Sequence, residues 1–169
     1  MMLRSTGAKM RLSHIEIDTN GLPAPTPEVE HERHVAISDL LEENTFNLTM
    51  AQAQGIRGPY RLTLGVRDGR LVFDIHTENR DPAAEFHLSL SPFRQVVKDY
   101  RQICANYFAG VKNLHPSQLE AIDMARRGIH NEGARVVEDR LNSKAQIDHD
   151  TARRLFTLIA FCIPMGDPW

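Results

Sequence analysis

Between residues 93 and 111 the apolar side chains Phe93, Val96, Val97, Tyr100, Ile103, Cys104, Tyr107, Phe108 and Val111 follow helical spacing almost without interruption. Ser91 and Pro92 open that run as a first turn should. It is the best amphipathic helix in the chain, and a stripe of this width needs a core to face. Ser117 with Glu120 three residues on reads as a capping box for a second helix, carrying Leu119, Ile122, Ile129, Val136, Val137 and Leu141. Asp148 or Asp150 caps a third, 152–163, apolar nearly all round until Pro164 stops it. A fourth is expected from Pro27 to about Glu43, with Thr26 as N-cap, acids in its first turn and a stripe of Val29, Ala36, Ile37, Leu40 and Leu41.

Upstream of Ser91 the period changes from helical to alternating. Leu62, Leu64 and Val66 share one face, Asp68-Gly69 makes a turn, and Leu71, Phe73 and Ile75 repeat the alternation, which predicts a hairpin. Phe86, Leu88 and Leu90 add a further strand. Arg61, Asp74, His76, Glu85 and His87 fall on the opposite, solvated face. Residues 12–17 alternate weakly as another strand before a turn-rich loop at 20–25. The fold class expected is α+β, a small antiparallel sheet of three to four strands covered by about four helices.

With 169 residues, 41% hydrophobic and 25% charged, the chain suits one globular domain, assigned to 11–164, with 1–10 and 165–169 as loose ends and Trp169 suited to surface packing. A net charge of −2 gives no sequence-wide attraction to nucleic acid or anionic membrane. No apolar stretch is long enough to span a bilayer or resembles a signal peptide, so a soluble, cytoplasmic protein is expected. Cys104 and Cys162 lie among apolar residues as buried thiols rather than as a disulfide. Asn47-Leu48-Thr49 matches a glycosylation acceptor that means nothing without secretion.

Residues 126–134, Arg-Arg-Gly-Ile-His-Asn-Glu-Gly-Ala, concentrate base, acid, amide and two glycines in a stretch that should be helix. At about 100° per residue, Ile122, Ile129 and Gly133 share the centre of the apolar stripe, while Asp123, Arg126, His130 and, further round, Arg127 run along its edge. Glu132 stands about 200° from His130, so the two share a site only if the helix breaks. Gly133 is explained by a close helix neighbour. Gly128 lacks that reason, which points to a break there or to a ligand or second subunit approaching the backbone. A second constellation, residues 28–34, sets Glu28 and His31, and His31 and His34, at i, i+3. A charged helix face is the better reading of it, and no metal is assigned.

Several specific chemistries are set aside. His130-x-Glu132 lacks the downstream cysteine pair of a zinc deaminase. No phosphate-cradling Gly-x-x-x-x-Gly-Lys loop, dinucleotide glycine pattern or His-Glu-x-x-His occurs, so the sequence names no cofactor. Cys104, on the packed stripe, is a poor nucleophile candidate.

Residues 28–46, Gly58-Pro59-Tyr60, Val97-Lys98-Asp99-Tyr100, residues 122–133 and residues 151–156 together resemble uncharacterised protein family 0262, bacterial proteins of unknown function. The resemblance covers roughly 11–160 and implies no activity, cofactor or catalytic residue. His34 replaces an alanine of the family pattern and Ala125 a glycine. The first weakens the His31 and His34 pair, and the second leaves the polar motif whole.

Two readings follow. In one, a small anionic or phosphorylated metabolite is bound, with Arg126, Arg127, Asn131, Gly128, His31 and Arg33 as ligand-binding residues. His130, with Glu132 or Glu30, then serves as acid or base. Residues 126–132 and Glu30 to Arg33 should then line one pocket. In the other, a non-catalytic regulatory or interaction protein uses the 126–134 segment as an interface, in a homodimer. Gly128 then lies at a flat contact and His130 is fully engaged.

Overall fold

The computed structural model describes residues 10–164, without the side chains of residues 52 and 53. The first strand, β1 (Leu12–Ile17), leads through a loop to helix α1 (Pro27–Glu42). The Thr26 side chain accepts the Val29 N–H to cap that helix, and the acids Glu28 and Glu30 lie at its positive end. A short strand β2 (Phe46–Leu48) and one turn of helix α2 (Thr49–Ala53) precede β3 (Tyr60–Arg67) and β4 (Arg70–Thr77). Asp68 and Gly69 both take positive φ, 53° and 71°, as a tight hairpin turn that follows strand twist requires. Then come β5 (Pro82–Ser89), α3 (Ser91–Gly110), α4 (Pro116–Leu141), β6 (Ala145–Ile147) and α5 (His149–Cys162).

The architecture is α+β, with four long helices, the short α2, a four-stranded sheet in the order β1-β3-β4-β5 and a two-stranded β2-β6 ladder. The hairpin and β5 pair antiparallel as expected. β1, however, runs parallel to β3, with Ile15 opposite Leu62 and Ile17 opposite Leu64, so the sheet is mixed. Parallel neighbours need a long crossover, and the segment holding α1 supplies it. Alternation in a strand carries no information about the direction of its partner. Phe73 and Phe86 stack with centroids 5.1 Å apart on the inner face.

Helix starts differ from the sequence reading in two places. The cap of α4 is His115 rather than Ser117: His115 Nδ1 accepts the Ser117 N–H and Gln118 Oε1 accepts the His115 N–H, a reciprocal box shifted two residues upstream. Asp148, not Asp150, caps α5, so that helix begins at His149 rather than at 152. The apolar stripe of α3 is also shorter than expected, because Phe108 and Val111 are 61% and 52% exposed.

α5 lies at the centre of the helical layer, packed against α1 and α4, while α3 packs on α4. One cluster of buried side chains runs from Leu12 on β1 through the sheet to Ile163 behind α5. The β2-β6 ladder had no sequence signal, since three-residue strands show no period. Asn47, the glycosylation-pattern residue, is buried within that ladder. Thr151 and Asn44 tie the pieces together. Thr151 Oγ1 accepts the Thr45 N–H, and Asn44 accepts from Leu12 N while donating to Leu12 O and Leu40 O. The expectation of loose ends falls on residues outside those described, apart from Met10, whose carbonyl accepts the Phe46 N–H.

Candidate functional site

α4 is continuous from Pro116 to Leu141, so the 126–134 segment presents its side chains at ordinary helical angles. There is no break at Gly128. A Cβ there would meet nothing within 4 Å, and the residue faces open space within this chain. Gly133 is the opposite case: a Cβ would come 2.4 Å from the buried Phe156 ring, so α5 sits against bare backbone. Because the helix is unbroken, His130 points toward α3 and α5 while Glu132 is exposed on another side. The structure does not bring that acid and that base together.

His130 is held from every direction. Its Nε2 lies 2.9 Å from both Arg153 O and Thr157 Oγ1, and the Arg153 guanidinium approaches Nδ1 at 3.3–3.4 Å. A carbonyl only accepts and a guanidinium only donates, so the ring is a neutral imidazole with its proton on Nε2. Tyr100 stacks on it at 5.3 Å and 22°. Burial, and next the charge of Arg153, hold the imidazole pKa below its ordinary value. Both nitrogens are therefore engaged by the protein's own groups.

The arginines of the segment are also engaged. Arg126 and Arg127 both pair with Asp123, and Arg126 also lies over the Tyr107 ring, 4.3 Å from its centroid. Two guanidiniums sharing one carboxylate leave a net charge of +1, with both arginines already paired. Arg127 and Gly128 are exposed, and Asn131 is half-buried.

Of the α1 residues, Glu30, His31 and His34 are exposed, whereas Arg33 reaches inward and its Nε donates to Phe161 O at 2.7 Å, at the carbonyl end of α5. Beside it lies a cavity of about 460 Å³ between the first turns of α1 and the middle of α3. Val29, Cys104, Ala105, Phe108 and Phe161 form its apolar walls, and Glu28, His31, Glu32 and Arg101 form its polar rim. His31 thus lines a cavity as expected, but its facing wall is α3, and the 126–134 segment takes no part in that wall.

Arg101 is the residue the sequence reading missed. It is half-buried, with its guanidinium over the Phe161 ring at 5.2 Å, and it shares a smaller adjoining cavity with Arg33. Burial, and then the charge of Arg33, pull its pKa down from the usual guanidinium range. Among the described residues neither Arg33 nor Arg101 belongs to an ion pair with a carboxylate. The signal available was positional: Arg101 lies one turn after Val97 and two before Phe108, on the face that also carries Arg94 two turns earlier, a cation set among stripe residues. Cys104, on the cavity wall, is a buried thiol whose pKa burial raises, and Cys162 is pushed up by burial to about 12. Neither is poised as a nucleophile.

Among the described residues no group of three or more histidine, cysteine or acidic side chains could hold a metal ion, and no helix is long and apolar enough to cross a membrane.

The profile of Uncharacterised protein family (UPF0262) matches residues 9–163. A UPF0262 protein of Jannaschia sp. (strain CCS1) is 70% identical over 150 residues, covering 89% of this chain and 95% of that one. A relative from Ruegeria pomeroyi is 67% identical over 150 residues, with 88% and 93% covered. One from Paracoccus denitrificans is 61% identical over 155 residues, with 91% and 96% covered. No solved structure matches the chain.

Proposed function

The chain belongs to the uncharacterised protein family UPF0262, whose name carries no activity, and from the geometry of its own cavity we propose that it binds a small amphipathic anion between α1 and α3. The observation that carries this reading is Arg101, half-buried at an apolar cavity beside Arg33 and outside any ion pair among the described residues. Desolvating a guanidinium beside a like charge is unfavourable, and an anion offsets both terms at once. The carbonyl end of α5 compensates part of that charge through the Arg33 contact, leaving Arg101 to face a ligand. Cavities of roughly 300–1,000 Å³ with apolar walls and a few polar groups are the usual form of small-molecule sites.

Relative to the sequence expectation, the anion moves from Arg126 and Arg127, which share Asp123, to Arg101 and Arg33. His31 stays at the rim, and the engaged His130 and the exposed Glu132 and Glu30 have no acid–base role in this reading. The protein then acts by binding, in a sensing, carrying or regulatory role.

A thermal-shift titration with alkyl carboxylates, alkyl phosphates and the matching alcohols tests this, using wild type and Arg101→Met, which keeps an apolar stem against Phe161. The anions should stabilise wild type by the increment that mass action sets, about 2.7 kcal/mol at 100 Kd, and so raise its Tm, and do so much less in the variant. No shift in wild type, or equal shifts in both proteins, would sink the proposal.

A second reading, a homodimer built on α4, has its own observation. Met124 is 66% exposed beside Ala125 and Gly128 on one open helix face, where backbones could approach closely. Sedimentation equilibrium decides it: a dimer that Met124→Glu dissociates is expected, and a monomeric wild type at tens of micromolar ends the idea.

A further inference from the structure

Resting on the cavity reading above, we propose that the ligand is a small monocarboxylic acid with an apolar chain, and that Glu28 and Glu32 at the rim set its charge by repelling dianions. At about 30 Å³ per water-sized group, the 460 Å³ cavity holds roughly fifteen non-hydrogen atoms. That is room for a small acid with an apolar chain. Val29, Cys104, Ala105, Phe108 and Phe161 offer carbon and sulfur surface to a chain, and a sugar in their place would leave its hydroxyls without partners. Phe108, 61% exposed at the cavity, is the wall residue with most surface still to bury.

Charge narrows the class further. Arg33 and Arg101 stand at the α5 end of the two adjoining cavities, while Glu28 and Glu32, one turn apart on α1, line the larger one. The larger cavity itself is lined by one arginine, Arg101, and two carboxylates, Glu28 and Glu32, and Arg33 adds its charge from the adjoining cavity, so the site is strongly polarised along its length. A carboxylate pairs two oxygens with the planar Arg101 fork and adds a single charge at the positive end. A phosphate monoester brings nearly a second charge, which the two glutamates oppose. An alkylamine satisfies the glutamates but leaves the half-buried Arg101 uncompensated.

Calorimetric titration of the full chain with octanoate, octyl phosphate and octylamine tests the class. Wild type should bind octanoate, with octyl phosphate at least about tenfold weaker, and the Glu28→Gln/Glu32→Gln double variant should close that gap. Ala105→Phe, which fills the cavity from an exposed helical position, should bind none of the three while keeping the wild-type circular dichroism. If octyl phosphate or octylamine matches or exceeds octanoate in wild type, or if the gap survives in the double variant, the monocarboxylate assignment is overturned while cavity binding stands. If no probe binds wild type, or Ala105→Phe binds them unchanged, the cavity reading fails and the assignment fails with it.

Discussion

At the residue scale, His130 shows how a side chain suited to chemistry becomes structural. Its neutral state is enforced by Arg153, a donor on one nitrogen, and by a carbonyl on the other. The unfolded imidazole titrates near 6.5 and the folded one lower. Above pH 6.5 both are neutral and the contribution to stability is complete. As pH falls through 6.5 toward the folded value, the unfolded chain takes up a proton that the folded chain resists, and stability declines. Urea midpoints at pH 7.5 and 5.5 should therefore fall more steeply for wild type than for His130→Phe, even though the variant is less stable at both. Equal slopes would remove His130 from the acid response. Asn44 gives a second prediction at this scale. Asn44→Ala leaves the buried Leu12 N–H and C=O without their partner and should cost about 1–3 kcal/mol by urea denaturation. The placement of His130 on a stripe edge was legible from spacing. Its partners, 23 and 27 residues away on α5, were not, because helical periodicity says which face a residue occupies and nothing about what lies opposite.

At the scale of elements, the two glycines of α4 separate cleanly. Gly133→Ala drives a Cβ into the buried Phe156 ring, so α5 must shift, and a loss of about 1–3 kcal/mol is expected. Gly128→Ala meets open space in an unbroken helix and should gain about 1 kcal/mol. Paired denaturation curves check both, and a loss at Gly128 would mean that something outside this chain uses that backbone. The sequence reading explained Gly133 correctly; of its two readings of Gly128, a break or the approach of a ligand or second subunit, the unbroken helix removes the first. The caps were partly legible: Thr26 and Asp148 hold their helices, but His115 displaced Ser117 because Pro116 already occupies a first-turn position behind it. Strand alternation located the β3–β4 hairpin and β5, whereas the parallel pairing of β1 depended on the path of the crossover.

For the whole molecule, one buried cluster joins sheet and helices, and α5 contributes eight of its buried residues from the centre. We propose that residues 11–164 unfold as one unit. Far-UV circular dichroism and tyrosine fluorescence should then report a single coincident urea transition, and a chain truncated before His149 should not fold. Two separated transitions would divide the domain. The sequence by itself determined the fold class, the four long helices, the hairpin and the family, because periodicity, caps and extended motifs are local properties of the chain. Only the tertiary structure decided which polar groups are spent and which stand open. It pinned His130 and paired Arg126 and Arg127 with Asp123. It set Arg101 beside Arg33 at an apolar cavity because α1 and α3, distant in sequence, both approach the end of α5.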